Sequence, residues 1–253
     1  MNDIKLKNAT SIHHHLKKIK QAEYMKILTL RTVGNFMILS SVFMIAKTFY
    51  LPVSQEIRYS IEAQAKKTYV VADSKVEEDA IYHLQGSNQT RGGLAGLLKM
   101  KKVEVLVPED PNFSVVIPKI GANARIIANV DVSNESEYLA ALKKGVGHAW
   151  GTAFPGEGGH VFLFAHSTDY FWNVGTYNAV FYLLDKLEKQ DEINVYFQGQ
   201  RYKYRIVEKN IVDPSEVEYL TRKTNREFIT LQTCWPAGTT LKRLLVFAVR
   251  VAD

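Results

Sequence analysis

The single cysteine of this 253-residue chain, Cys234, lies in the segment LQTCWPAGTTLKR, nine positions before Arg243. An unperturbed thiol has a pKa of about 8.5, so only a few per cent of it is thiolate at neutral pH. A neighbouring imidazolium favours the thiolate and can then give its proton to a departing amine. Arginine keeps its charge and presents a fork of donors, which suits a carbonyl oxygen that is becoming an oxyanion. A cysteine, a histidine and an arginine brought together could therefore carry out acyl transfer.

The histidine that best fits this chemistry is His166, which ends the apolar run HVFLFAH, and Asp169 could orient its ring. The competing histidines for the acid role are His83, His148 and His160. His160 and His166 begin and end the same predicted strand, so only one of them can approach Cys234. Taken singly, these residues also have ordinary interpretations. A lone cysteine is usually a small core residue, and a histidine after an apolar strand is usually a hydrogen-bonded one.

The elements that must position these residues are predicted strands. The patterns EFITLQTC and KRLLVFAVRVA each indicate a strand, and the connection WPAGTTLK contains Pro236 and Gly238, which favour a turn. In an antiparallel pair the end of one strand lies beside the start of the next. Cys234 and Arg243 should therefore lie side by side. We expect His166, at the end of another strand, to reach the same rim.

From Phe113 onward the sequence is a series of short strand patterns. SVVIPKI and ARIIANV are β-branched runs, and EINVYFQ is joined to GQRYKYRIVEKNIV by a predicted hairpin at Gly199 and Gln200. In the last of these segments basic residues alternate with apolar ones, so one face should be buried. Too few helices are indicated for a parallel α/β fold. The pattern predicts a mainly β fold, an antiparallel barrel or sandwich.

Two short helices are predicted within this part of the chain. NESEYLAALKKG indicates a helix capped by Asn134, with Glu137 at its third position and Gly145 at its end. AVFYLLDKL indicates a second helix, with an apolar stripe formed by Val180, Phe181, Leu184 and Leu187.

The N-terminal part predicts a membrane anchor. Residues 1–31 are rich in lysine and arginine, and residues 32–53 form a mostly apolar stretch of 22 residues, where about 20 cross the hydrocarbon core. Lys47 and Tyr50 lie toward its far end, where an interface would be. A buried core helix or a cleaved signal peptide is the alternative, but the stretch begins late and no small-x-small cleavage signature follows. Positive residues before the span predict a cytoplasmic N-terminus.

The chain is therefore divided into a basic cytoplasmic segment (1–31), a transmembrane anchor (32–53), an extracytoplasmic stalk (54–111) and a folded catalytic domain (112–253). The net charge of +6 could indicate nucleic-acid binding, but the adjacent apolar span and the lack of interleaved aromatic residues argue against it. No metal or cofactor is expected, because the histidines lack ligand spacing. A lone thiol retained outside the cell, where thiols meet oxidants, favours a chemical role.

The motif TLQTC, followed by Arg243 on the next predicted strand, resembles the signature of the sortases, membrane-anchored cysteine transpeptidases of bacterial surfaces. The family pattern Thr-Leu-x-Thr-Cys is matched from Thr230 to Cys234. The family histidine is matched by His166 in FLFAH, with Ala165 in place of glycine. The segments VVIPKIGANARI, GTAFPGEGGHVFLFAHS and FYLLDKLEKQDEINVY are also similar to sortase sequence, so the resemblance covers residues 115–251.

The resemblance implies a closed β-barrel of about eight strands with a few short helices. It implies cleavage of an LPXTG-like sorting signal near the C-terminus of secreted proteins. Cys234 would form a thioacyl intermediate, His166 would protonate the departing amine, and Arg243 would bind the substrate or its oxyanion, with Thr233 as a second substrate-binding residue. An amine of a peptidoglycan precursor or a pilin would then resolve the thioester. Such an enzyme is expected at the cell membrane, as a single-pass protein with its catalytic domain outside.

Two other functions stay open from the sequence. A membrane-anchored cysteine protease would release the acyl group to water through the same architecture, and only an added amine would distinguish it. A membrane-tethered β-barrel binding module, in which TLQTC is structural, would form no covalent adduct with a thiol-reactive substrate mimic.

Overall fold

The computed structural model describes residues 2–64, 68–73, 103–167 and 180–251, and the chain divides into two compact units, residues 1–51 and 52–253. Two residues considered for the site, His83 and Asp169, lie outside the described residues. The helices are α1 (Asn2–Gln64) and α2 (Glu135–Leu142), and 3-10 helices span Pro118–Ile120 and Leu184–Lys186. The strands are β1 (Thr68–Val71), β2 (Val103–Leu106), β3 (Phe113–Ile117), β4 (Ala122–Val130), β5 (Val146–Ala149), β6 (His160–Phe164), β7 (Glu192–Phe197), β8 (Gln200–Val212), β9 (Phe228–Trp235) and β10 (Lys242–Arg250).

The apolar part of α1 is the window Glu23–Lys47, which has 25 residues and a mean hydropathy of 1.5, and none of it is buried. This length and composition are enough to cross a membrane, which suggests membrane anchoring. The hydroxyls of Thr29, Thr32 and Ser41 each donate a hydrogen bond of 2.8 Å to the carbonyl four residues earlier. These bonds satisfy the polar side chains within the helix. The window overlaps the predicted anchor, residues 32–53, and the predicted segment boundaries stay predictions.

Strands β3 to β10 form a closed barrel in the order β10-β8-β7-β3-β4-β5-β6-β9, with β9 pairing back to β10. The expected closed β-barrel of about eight strands with few helices is confirmed. The expectation of an antiparallel sheet is wrong at two pairings, because β4 with β5 and β6 with β9 are parallel. Parallel neighbours need a crossover rather than a tight turn. Helix α2 lies in the crossover from β4 to β5, and β6 meets β9 only after β7 and β8 have intervened.

Alternate side chains of the strands fill the barrel interior. In β8, Tyr204 and Ile206 are completely buried whereas Arg205 between them is exposed, as the alternation in the sequence predicted. In β9, Ile229 and Leu231 belong to the same interior cluster. Since the period of a strand is two, each inward side chain fixes its neighbours on the outer face. This rule decides which residues near the candidate site are accessible.

Two local predictions are confirmed, one of them with a shift of one residue. The side chain of Asn134 accepts a hydrogen bond of 3.4 Å from the backbone N–H of Glu137, so it caps α2 as predicted. The hairpin between β7 and β8 turns at Gln198 and Gly199, whose φ angles of 52° and 78° are both positive. Gln200 is already the first residue of β8, so the turn lies one position earlier than predicted.

The segment AVFYLLDKL is not the α-helix that its apolar stripe predicted. Its described residues form turns and the 3-10 helix Leu184–Lys186. Phe181, Leu184 and Leu187 are nevertheless completely buried in the barrel core. These positions are three residues apart, which is the period of a 3-10 helix. The pattern thus identified the buried side chains correctly and assigned them the wrong helix type.

Segments before the barrel also pack within the second unit. Strands β1 and β2 pair in parallel, and Val71 packs with Val116 and Tyr196 on the outer side of the barrel. The hydroxyl of Tyr196 donates a hydrogen bond of 2.7 Å to Asp73. Near the end of α1, Tyr59 packs against the barrel core. Part of the predicted stalk is therefore in contact with the barrel.

Candidate active site

The three predicted catalytic residues belong to adjacent strands or follow them directly. Strand β9 has β10 on one side and β6 on the other. Cys234 and Arg243 are directly opposed Cα partners in the β9–β10 ladder. On the other side, the backbone N–H of Ala165 donates a hydrogen bond of 3.1 Å to the carbonyl of Gln232. His166 follows Ala165, so its backbone lies beside the end of β9 that carries the cysteine.

Side-chain alternation places these three groups on the outer face of the barrel. Leu231 belongs to the interior cluster, so Cys234, three positions later, points outward, and it is half-buried. Arg243 points to the same face, since directly opposed residues of an antiparallel pair share a face. Ala165 also belongs to the interior cluster, which leaves the half-buried His166 on the outer side. The groups therefore share the outer face at one end of the barrel, where a peptide can reach the sulfur.

Thr233 links the strand of the cysteine to the segment of the histidine. Its side chain is buried, and its hydroxyl donates a hydrogen bond of 2.9 Å to the carbonyl of Ala165. Together with the bond from Ala165 to Gln232, this contact holds the residues before His166 against those before Cys234. This contact with Ala165 gives Thr233 a positioning role. Its predicted role in substrate binding stays a prediction.

A groove of about 360 Å³ lies on the same outer face and includes Arg243 in its lining. Its base is apolar, because Phe162 and Phe164 of β6 project into it and Tyr138 of α2 stacks on Phe164 at 5.2 Å between ring centroids. The connection from β8 to β9 contributes Pro214, Glu216, Val217, Tyr219 and Leu220. Such a lining fits an extended and largely apolar peptide segment.

This groove was not predicted from the sequence. One signal was present, because HVFLF is apolar at every position between its histidine and its end. Val161 and Leu163 fill the barrel interior, so Phe162 and Phe164 must be covered from outside. The segment that forms the wall, residues 213–227, has no periodic pattern from which its position could be predicted.

The guanidinium of Arg243 is held by the connection between β9 and β10. Its Nη1 donates hydrogen bonds of 3.1 Å to the carbonyl of Thr240 and 3.2 Å to that of Lys242. A guanidinium carries five N–H donors, so these two bonds fix one edge of the group. They hold the positive charge on the strand position directly opposite Cys234.

His148 has a structural role within the barrel wall. It is completely buried, and its Nδ1 accepts a hydrogen bond of 3.3 Å from the backbone N–H of Asn129. The proton is therefore on Nε2, which donates to the carbonyl of Ala153 at 3.1 Å. Burial lowers the pKa of His148, so its ring is neutral at neutral pH. A neutral, enclosed ring does not supply the imidazolium that the chemistry requires.

His160 lies at the opposite end of β6 from His166. Its Nε2 hydrogen-bonds with the hydroxyl of Thr230 at 2.8 Å, and its ring stacks on Phe228 at 4.2 Å between centroids. Burial, followed by the positive charge of Arg222, lowers the pKa of His160 to about 4. Neither histidine belongs to a metal site, since no group of three or more His, Cys, Asp or Glu residues across the described ranges is arranged to hold a metal ion.

Comparison with known proteins assigns the chain to a family. Residues 115–251 match the sortase domain, which is more than half of the chain. The chain therefore belongs to the sortase family, and the resemblance that TLQTC indicated is confirmed.

The similar proteins include characterised and solved sortases. The chain is 30% identical over 138 residues to sortase D of Bacillus subtilis (strain 168), a match that covers 53% of this chain and 61% of that protein. It is thus similar over less than two thirds of that relative. Sortase C-1 of Actinomyces oris shares 34% identity over 57% of this chain and 75% of that chain, with a TM-score of 0.47. A Clostridium perfringens sortase D5 transpeptidase shares 26% identity over 56% and 80%, with a TM-score of 0.45.

Proposed function

We propose that this protein is a membrane-anchored cysteine transpeptidase. It cleaves an LPXTG-like sorting signal of secreted proteins and transfers the acyl group to an amine of the cell wall or a pilin. Membership of a family of cysteine transpeptidases supports the proposal. The observation that carries it is the position of Cys234, on the strand between that of Arg243 and the one that leads to His166. The apolar window Glu23–Lys47 supports attachment to the membrane. The basic residues that precede it favour a cytoplasmic N-terminus, and hence a catalytic unit outside.

In the first half-reaction, the Cys234 thiolate forms a C–S bond with the threonine carbonyl carbon of the signal. The carbonyl electrons move to oxygen, where the Arg243 guanidinium stabilises the developing negative charge. When this oxyanion collapses, the scissile C–N bond breaks and the His166 imidazolium gives its proton to the departing amine. The products are a thioacyl enzyme, a neutral imidazole and the released C-terminal fragment.

In the second half-reaction, a neutral acceptor amine attacks the thioester carbon. His166 takes the proton from the attacking nitrogen, the C–S bond breaks, and a new amide leaves the enzyme. The thiolate and the imidazolium are thereby restored. The groove beside Arg243 would hold the donor, since the exposed Val132 and Val217 in its lining offer apolar contacts that suit a Leu-Pro segment.

The test uses the full-length protein in a neutral detergent, a panel of sorting-type peptides and an added amine, with products identified by mass. We expect an amine-dependent ligation product and a thioacyl adduct on the wild type, and neither on Cys234→Ala. If the peptide's acyl group is released as a free carboxylic acid and added amine does not reduce this hydrolysis, the protein would be assigned to the cysteine proteases. The absence of both cleavage and adduct with every peptide would favour a binding module.

A further inference from the structure

A second recess, of about 620 Å³, lies apart from the groove that contains Arg243. Its lining comes from the start of β4, from the residues that follow α2 and from the last turns of α1 within the second unit. Gly121 and Gly145 contribute backbone to it, and the charged residues of the lining are Arg58, Glu109, Arg125, Lys143 and Lys144. Nothing in the chemistry of the first half-reaction uses this recess.

The strand register places the recess at the end of the barrel that carries His166. Gly147 pairs with Phe164 in the antiparallel β5–β6 ladder. Gly145 precedes Gly147 by two residues and His166 follows Phe164 by two, so both lie beyond the same end of this ladder. The recess is therefore on the side of the histidine, which must receive the proton of the acceptor amine.

The donor groove and the recess lie toward opposite ends of helix α2. Glu135 and Tyr138, near its start, line the groove, whereas Lys143 and Lys144, just after its end, line the recess. A transpeptidase must hold a donor and an acceptor close to one sulfur atom at successive steps. The groove, which contains Arg243, and the recess, at the end of the barrel that carries His166, provide separate places for them.

The two recesses differ in charge. The four basic residues and one carboxylate of the recess give a formal charge of +3, that is, four minus one. The groove contains Arg243 with Glu135 and Glu216, a formal charge of −1, that is, one minus two. An anionic group is therefore disfavoured in the groove and favoured in the recess.

The basic side chains of the recess are exposed, and they differ in their ion pairing. Arg58, Arg125, Lys143 and Lys144 are all exposed, so substitutions there leave the core intact. The Nη2 of Arg125 pairs with Asp110 at 3.2 Å, which reduces its share of the positive charge. Lys144 is therefore a better position than Arg125 at which to test the charge.

We propose that this cationic recess binds an anionic group of the amine acceptor, a carboxylate or a phosphate, during the second half-reaction. The inference rests on the proposed transpeptidase function and names the class of its second substrate. Acceptors that carry such a group near the amine are captured in the recess and presented on the His166 side. Uncharged amines of the same length lack this contact and react only from bulk solution.

The experiment compares matched acceptors with the full-length protein in neutral detergent. Triglycine is compared with triglycinamide to test a carboxylate, and phosphoethanolamine with ethanolamine to test a phosphate. Wild type, Lys144→Gln and Lys143→Gln/Lys144→Gln are assayed for acceptor KM, and Lys189→Gln serves as the control because it removes one exposed charge outside the recess. Cleavage of the donor peptide without acceptor is measured for each variant.

We expect the wild type to prefer the anionic member of at least one pair. Each removed lysine should raise the KM of that acceptor by about 1.5- to 5-fold, the range for exposed charge pairs, without changing its neutral counterpart or donor cleavage. Higher salt should reduce the preference, since screening acts on exposed charges. The pair with the larger preference identifies the anionic group. Equal KM values for both members of both pairs, or a preference that survives the double substitution, would overturn the proposal.

Binding of triglycine and of phosphoethanolamine, each followed by ligand-observed NMR, separates this inference from the proposed function. If the protein cleaves no peptide but binds the anion, and the double substitution weakens this binding, the transpeptidase function would be refuted and the anion site retained. Peptide transfer without any charge-dependent binding would retain the transpeptidase and refute the recess as its acceptor site.

Discussion

The hydroxyl of Thr233 donates a hydrogen bond of 2.9 Å to the carbonyl of Ala165, and both residues are buried. Each is followed directly by a group of the proposed mechanism, Cys234 in one strand and His166 beyond the other. The bond therefore holds the backbone segments that carry the sulfur and the imidazole side by side, although it touches neither group. Proton transfer requires donor and acceptor within hydrogen-bond reach, so a small displacement at this point should lower the rate.

Replacement of Thr233 by valine should lower kcat more than it changes the KM of the donor peptide. Thr233→Val keeps the shape of the side chain and leaves the Ala165 carbonyl without its donor. We expect kcat to fall about 10- to 100-fold, as misplacement of a reacting group does. The free energy of unfolding should fall by about 1–3 kcal/mol, the cost of an unpaired buried polar group. Steady-state kinetics and urea unfolding measure the two effects.

A buried threonine in the same strand provides the control. Thr230→Val removes a hydrogen bond to His160 at the far end of β9 and should cost similar stability. Its kcat should stay close to wild type, and Thr233→Ser should recover most of the lost rate. Equal losses of kcat in both valine variants would show that Thr233 acts through stability alone.

Replacement of Arg243 by glutamine or by lysine should lower kcat. Arg243→Gln removes the positive charge opposite Cys234, and kcat should fall about 10²- to 10³-fold, as when an oxyanion donor is lost. Arg243→Lys keeps the charge but cannot bond the Thr240 and Lys242 carbonyls while presenting a second edge to substrate, so it should recover only part of the rate. Lys242→Gln is the matched neighbour. It breaks an exposed ion pair with Asp213, 2.7 Å in length, and should change kcat by less than about 2-fold.

The buried His160 should make the protein less stable in mild acid. Its pKa of about 4 lies below the value near 6.5 of an unfolded histidine. Well above pH 6.5 neither state binds the proton. As the pH falls from 6.5 to about 4, the unfolded state takes up the proton first and the free energy of unfolding decreases, by about 3 kcal/mol. Below about 4 this contribution is fully lost.

Urea unfolding at pH 7, 5.5 and 4.5 measures this loss. His160→Gln retains a group that can bond the Thr230 hydroxyl and removes the titration, so its stability should fall less steeply over the same range. His148, whose pKa is also lowered by burial, should give the variant a remaining slope of the same sign. Identical slopes for wild type and His160→Gln would assign the acid sensitivity to other groups.

The parts of the site that depend on local chain geometry could be predicted from the sequence. A turn containing Pro236 and Gly238 joins two predicted strands, so the residues on either side of it must be neighbours. Cys234 and Arg243 are indeed opposed. The apolar run before His166 likewise indicated a buried strand that ends there, and β6 is buried throughout. These features follow from contacts between residues that are close in sequence.

The parts that depend on distant contacts could not be predicted in this way. The parallel pairing of β6 with β9 joins His160 to Phe228, and alternation within either strand does not identify its partner. The positioning role of Thr233 follows from that pairing and was therefore missed. Residues 213–227, which form the wall, show the hydrophobic period of neither a helix nor a strand. Their position is known only from the groove that they line together with Phe162 and Phe164.

The orientation of the anchor can be tested through Cys234, since it is the chain's one cysteine and is half-buried rather than enclosed. If the basic residues before the span stay in the cytoplasm, a small membrane-impermeant maleimide should label the wild type in intact cells, and Cys234→Ala should remain unlabelled. Thr10→Cys in the Cys234→Ala background moves the thiol into the basic segment and should react only after lysis. Labelling is read by mass of the purified protein. Labelling of the Thr10→Cys protein in intact cells, together with protection of Cys234 until lysis, would reverse the orientation and place the barrel away from secreted substrates.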